Sequence, residues 1–162
     1  MKYVLSICIL GLSWGLATAQ TEKDFEDYGQ LVYTKLITDE DYNTVDFMWV
    51  SDYRDYARAQ HNGEKAERDV FTINANYEEW YRDYQNSVNQ LKDYYQKARK
   101  EGGKTEYLET LFTPTEGYDD LYQVDMSFIY STDNLQNEVR ITFRVIWYKN
   151  FFWLVTPFKE NF

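Results

Sequence analysis

"EVRITFRVIWYKNFFWLVTPF", Glu138–Phe158, is the stretch whose reading decides the fold. Val139, Ile141, Phe143, Val145 and Trp147 alternate with Arg140, Thr142 and Arg144, which is the pattern of a strand with one face in a core. Lys149-Asn150 reads as a two-residue hairpin turn, since Asn tolerates positive φ. Phe151–Thr156 then returns as a second strand, ended by Pro157. The alternation also sets Ile146, Tyr148, Phe151 and Trp153 on the face that should be wet. An apolar cluster there calls for a cover: a neighbouring helix, a ligand or a second subunit.

Upstream, Tyr122, Val124, Met126, Phe128 and Tyr130 alternate with Gln123, Asp125 and Ser127, and "STDNLQN" reads as a turn. Centring that turn near Asn134-Leu135 pairs Tyr130 with Val139, Phe128 with Ile141, Met126 with Phe143 and Val124 with Val145, and sets Asp125 opposite Arg144. A slip by one residue would face apolar groups with polar ones. The second hairpin pairs Trp147 with Phe152 and Val145 with Leu154 on the core face, and Tyr148 with Phe151 and Ile146 with Trp153 on the other.

The earlier part of the chain has helical spacing. Thr21 and Asp24 resemble a helix start, followed by Phe25, Tyr28, Val32 and Leu36, with Gly29 inside the run. Asn43 reads as the cap of a second helix carrying Phe47, Val50 and Ala57, which ends at "HNG". Asn76 and Glu79 read as the capping pair of a third. Its face is Tyr77, Tyr81, Tyr84, Val88, Leu91, Tyr95 and Ala98, and it stops at Gly102-Gly103. Lys97, Arg99 and Lys100 suit the negative end of that helix. Asp69–Ala75 fits a strand or a short helix, and Tyr107–Thr113 is ambiguous. The expectation is an α+β fold, with N-terminal helices packed on a curved antiparallel sheet of about three to five strands.

The opening "MKYVLSICILGLSWGLATAQ" has a charged start, a short apolar run and the small-x-small triplet Ala17-Thr18-Ala19. It reads as a signal peptide over residues 1–19, cut before Gln20, with a single domain over 20–162 in a secreted or periplasmic setting. Cys8 lies within that peptide, so the mature chain holds no cysteine and no disulfide. No second apolar run is long enough for a transmembrane anchor. The formal charge is −10, and losing Lys2 makes it more negative, so nucleic acid is not an expected partner.

Aromatic residues make up 19% of the chain, more than charge or polarity would explain. They serve either packing or a binding surface for aromatic-seeking ligands. Helices followed by an antiparallel sheet ending in "KNFFWLVTPF", with Asn150, Trp153, Leu154 and Phe158 in an N-x-x-W-type pattern, resemble the NTF2-like, cystatin-like α+β superfamily and its small secreted bacterial members. The resemblance implies a sheet curled about a long helix, a cone-shaped pocket in many members, and dimerisation through the sheet in others. This chain departs in placing its longest helix directly before the sheet.

Motifs for chemistry are few. His61 is the only histidine, and its place at a helix C-terminus is explained by the dipole. "TDEDYNTVD" begins like a calcium loop at Asp39, Asp41 and Asn43, but has Thr44 where glycine is required and Val50 where glutamate is required. No phosphate-binding glycine loop or nucleophile elbow occurs. No cofactor or metal is expected.

Asp125, Arg140 and Arg144 share the second sheet face. They form either a cross-strand ion cluster or an anion-binding spot. With Ile146, Tyr148, Phe151 and Trp153 they make up the expected binding surface for a small molecule or a protein partner, on a domain without catalysis. Two alternatives remain. One is an NTF2-like pocket enzyme of the isomerase, dehydratase or hydrolase type, using Asp125, Tyr148 and His61. The other is a structural subunit whose sheet face is a homodimer interface.

Overall fold

The computed structural model describes residues 22–38 and 45–161. Helix α1 (Glu22–Tyr33) continues into a π-helical turn (Thr34–Thr38), and α2 (Val50–Gln60) and α3 (Glu64–Lys100) follow. Then come β1 (Lys104–Pro114), β2 (Leu121–Thr132), β3 (Leu135–Tyr148), β4 (Phe151–Leu154) and β5 (Lys159–Asn161). The described residues form an α+β fold with an antiparallel sheet in the order β1-β2-β3-β4, and β5 pairs with β3 beyond the end of β4. The proposed signal peptide, Thr21, and the Asp39–Asn43 part of the acidic loop lie outside the described residues.

The third helix is longer than its Asn76 start implied. It begins at Glu64 and absorbs Asp69–Ala75 as helix. The capping signal at Asn76 is not used as a cap: its side-chain amide donates back to the Thr72 carbonyl at 2.8 Å, one turn earlier. The start lies at Gly63, whose φ of 61° only glycine adopts readily, with Glu64 and Glu67 in the first turn. The expected face is the one that packs, with Tyr77, Tyr84, Val88, Leu91, Tyr95 and Ala98 buried. The second helix starts at Val50 rather than near Asn43. Phe47 instead bridges Leu154 in parallel, with Met48 N–H donating to the Leu154 carbonyl at 2.9 Å. This short extended segment covers the outer edge of β4.

Sheet register corrects the first hairpin and bears out the second. The β2–β3 turn is tighter than expected, so Thr132 faces Leu135 and the whole ladder moves by two residues. Phe128 therefore faces Val139, Met126 faces Ile141 and Val124 faces Phe143. A two-residue shift preserves the faces, which is why hydrophobic patterning could not exclude it. At the β3–β4 turn, Lys149 and Asn150 have φ of 54° and 63°, the primed-turn geometry that matches strand twist. Tyr148 faces Phe151, Ile146 faces Trp153, Trp147 faces Phe152 and Val145 faces Leu154, as expected. Strand β4 ends at Leu154, before the expected Thr156; Arg144 N–H turns to the Thr156 hydroxyl at 2.9 Å where the ladder lapses.

Helices α1 and α3 cover one sheet face. Tyr95 meets Phe128 edge-on at 5.1 Å, and Phe158 meets Phe143 at 4.9 Å and Tyr84 at 6.2 Å. The Tyr84 hydroxyl donates to the buried Val45 carbonyl at 2.5 Å. Helix α1 lies along β1, with Phe25 near Phe112 and Tyr33 near Tyr107. Gly29 makes this approach: a Cβ there would fall 2.3 Å from the Thr110 Oγ1 and 2.5 Å from its Cβ. Valines, isoleucines and phenylalanines of β2 and β3 on this face are all but fully buried.

Candidate binding surface

The second sheet face divides into a polar stretch and an aromatic tip. In the polar stretch Asp125 faces Thr142, whose hydroxyl donates to it at 2.5 Å, and the Gln123 amide donates at 3.2 Å. The expected Asp125–Arg144 cross-strand pair is not in register, because the two-residue shift places Gln123 opposite Arg144. Arg140 faces Ser127 and lies 3.6 Å from the Glu138 carboxylate, both half exposed. Arg144 is exposed. Asp125 is thus satisfied by neutral groups, and the two arginines project to solvent from one strand.

At the hairpin end the same face is covered in part by the chain itself. Ile146 is 4% exposed, flanked in register by Leu121 and Trp153. The Tyr148 ring meets Tyr56 of α2 edge-on at 5.6 Å. The Trp153 indole N–H donates to the Tyr148 carbonyl at 3.0 Å, which clamps the turn from its own face. Lys149 reaches back to Asp52 at 2.9 Å and Asp55 at 3.8 Å. The hydrogen bond to Asp52 raises its pKa above the ordinary lysine value. Phe151 alone projects, 65% exposed, with its ring 6.4 Å from Trp153. The structure therefore brings Ile146, Tyr148, Phe151 and Trp153 together, while Arg140 sits about 20 Å along the strand from Ile146 at ordinary strand rise.

Grooves flank this tip. One of 480 Å³ lies between α1 and the hairpin, with Tyr28, Asp46, Trp147, Phe151 and Phe152 among its walls. Another of 260 Å³ adjoins it, lined by Asp46, Phe151, Phe152 and Trp153. The Tyr28 hydroxyl is buried, and burial pushes its pKa well above the ordinary tyrosine value. On the helix-covered face, Phe25, Phe112, Tyr122 and Phe152 close the space between α1 and the sheet with ring contacts of 4.6 to 6.5 Å.

Two further grooves are lined by no residue of the β3–β4 hairpin. One of 710 Å³ follows β1, beside Phe25, Tyr107 and Leu111. One of 370 Å³ lies between α2, α3 and the β1–β2 loop. In the latter, His61 caps α2 as expected, but its Nε2 also comes 3.5 Å from the Asp69 carboxylate. That partner was hidden because Asp69 belongs to a stretch whose helical state the sequence left open. Tyr56 donates to Asp120 at 2.7 Å, and burial followed by that bond raises its pKa above the ordinary tyrosine value. The grooves draw on residues far apart in the chain, and no local spacing signals them.

Among the described residues, no group of three or more His, Cys, Asp or Glu side chains is placed to hold a metal ion, and no helix is long and apolar enough to cross a membrane. Comparison of the chain with family models, with curated proteins and with solved structures finds no match.

Proposed function

We propose that the chain is an exported, non-catalytic binding domain that engages a small ligand or a protein partner through the β3–β4 tip. The supporting observation is Phe151: it is 65% exposed beside a tight turn, and it lines two adjoining grooves. An exposed phenylalanine held on a two-residue turn loses little conformational freedom on binding, and so suits an anchor. The backing is ordered as well, since Trp153 is bonded to the Tyr148 carbonyl and Lys149 to α2. Export rests on the signal-like order of residues 1–19, with cleavage before Gln20. The order of helices then antiparallel sheet supports a distant NTF2-like relationship, with a long helix rather than a strand leading into β1.

The test is a thermal-shift screen of small molecules, combined with sedimentation to measure self-association, on the mature chain and on Phe151→Ser. Phe151→Ser should fold with near-normal stability, because the side chain is mostly in water. It should also lose the shift given by any ligand, or the association seen in the parent. A ligand shift and a self-association that both persist undiminished in Phe151→Ser would sink the proposal.

A further inference from the structure

The groove between α2 and α3 adjoins the tip through Tyr56, which meets Tyr148, but it does not include Phe151 and is built differently. We propose that it is a second binding site, for a neutral carbohydrate. Its lining combines the buried rings of Tyr53 and Tyr56 of α2 with two rings that reach the surface, the half-buried Trp80 of α3 and Tyr118 of the β1–β2 loop. Tyr53 and Trp80 lie 6.1 Å apart, and Tyr118 is 47% exposed at the mouth. A pyranose ring has an apolar C–H face that packs on such rings, and hydroxyls at its edge that require hydrogen-bonding groups beside them. Gln60, His61, Lys65 and Asp69 supply both donors and acceptors around the rings.

Charge selects among ligands. Lys65 and Asp69 bring one formal charge of each sign to the lining of this groove, with His61 3.5 Å from the Asp69 carboxylate, on a chain of formal charge −10. A neutral polyhydroxylated ligand needs no counter-charge there, whereas an acidic one meets the Asp120 carboxylate behind Tyr56 and Gln60 and the repulsion of the whole molecule. The groove holds 370 Å³, within the usual range for small-ligand sites of about 300–1,000 Å³.

The walls are also fixed in advance. Asp120 receives the Tyr56 hydroxyl at 2.7 Å and the Gln60 amide at 2.6 Å, and its carbonyl receives Trp147 N–H at 2.8 Å. Within the loop, Thr115 N–H bonds to the Leu121 carbonyl and Tyr118 N–H to the Thr115 carbonyl. The loop that carries Tyr118 is thereby tied to α2 and to β3. Less freedom is lost on binding when the site is ordered beforehand.

The experiment uses the mature chain with maltopentaose, cellotetraose and chitotriose as neutral probes, and hexagalacturonate as the acidic control. Binding is read by tryptophan fluorescence and by calorimetry. At least one neutral probe should bind at up to millimolar concentration and hexagalacturonate should not. Tyr118→Ala should weaken that binding about tenfold or more, and Trp80→Ala should do the same where it folds. Phe151→Ser should leave it within about twofold, which separates this site from the tip. Absence of binding by all three neutral probes overturns the proposal. So does tighter binding of hexagalacturonate, or a neutral-probe affinity that Tyr118→Ala leaves unchanged.

Discussion

Replacing Gly29 with alanine sets two effects against each other. In a helix interior, Gly→Ala normally stabilises by about 1 kcal/mol, because glycine loses more backbone freedom on folding. Here the added Cβ would lie 2.3 Å from the Thr110 Oγ1 and 2.5 Å from the Thr110 Cβ. A hydroxyl can rotate away, but a Cβ is fixed to its strand, so α1 or β1 must move by roughly 1 Å to restore ordinary contact. Such a shift disturbs Phe25 against Phe112 and Tyr33 against Phe128, and overpacking of this kind costs about 1–3 kcal/mol. The clash should win. Gly29→Ala should lower the urea-unfolding free energy by about 1–2 kcal/mol. Thr110→Ala keeps the offending Cβ and should not relieve it, whereas Thr110→Gly should couple favourably with Gly29→Ala by about 1 kcal/mol in a double-mutant cycle. A Gly29→Ala chain that is more stable than the parent would show that α1 does not lie this close to β1.

Leu91→Ala should cost about 2–5 kcal/mol, since Leu91 is buried on the sheet-facing side of α3, while the exposed Gln90→Ala should be near neutral; equal small losses in denaturant titrations would misplace that face. Tyr84→Phe should cost about 1 kcal/mol in the same assay by stranding the Val45 carbonyl, and no loss would argue against that bond. Burial raises the pKa of Tyr28, Tyr53, Tyr56 and Tyr95 above the ordinary tyrosine value of 10.0, helped at Tyr56 by Asp120 and at Tyr95 by Glu160. The unfolded chain then releases these protons first, so their stabilisation is intact below pH 10 and is lost as pH climbs above it; circular dichroism should show cooperative alkaline unfolding together with the rise in tyrosinate absorbance, and gradual tyrosinate formation in a folded protein would contradict it.

Sheet faces were legible because strand alternation is local and binary. Every β2 and β3 residue from Tyr122 to Val145 assigned to the core side is buried, apart from the half-buried Tyr130 at the end of β2. Register was less legible, since moving the β2–β3 ladder by two residues changes each neighbour but no face. The second hairpin escaped that degeneracy: a two-residue turn at Lys149-Asn150 admits only one pairing. Helix α3 was legible through its apolar face from Tyr77 onward but not at its start, where the short Val70–Ile73 apolar run reads as strand or helix alike and a strong capping pair lies inside the helix. Phe47 followed helical spacing, yet bridges β4, because the bond available at that strand edge is a tertiary event. At the candidate surface, sequence placed Ile146, Tyr148, Phe151 and Trp153 on one face and could not show that Tyr56 reaches Tyr148. Nor could it show that Tyr118 and Trp80 border one groove.

The apolar cluster on the wet face now has a division of labour. Ile146 is sealed by its strand neighbours and Tyr148 is shielded by Tyr56, so these two belong to packing, and replacing either would report stability before function. Trp153 lies between the roles: its ring is half-buried, and its N–H holds the Tyr148 carbonyl that opens the turn. Phe151 has neither duty. Its backbone pairs with Tyr148, but its side chain covers no part of the buried cluster and meets only Trp153 among the rings. A hairpin needs no aromatic at that position to close, since Lys149 and Asn150 supply the turn geometry and Asp52 restrains the lysine. The residue that folding needs least is therefore the one that presents the largest apolar area at the tip, and that is the physical reason to place recognition there rather than across the whole sheet face.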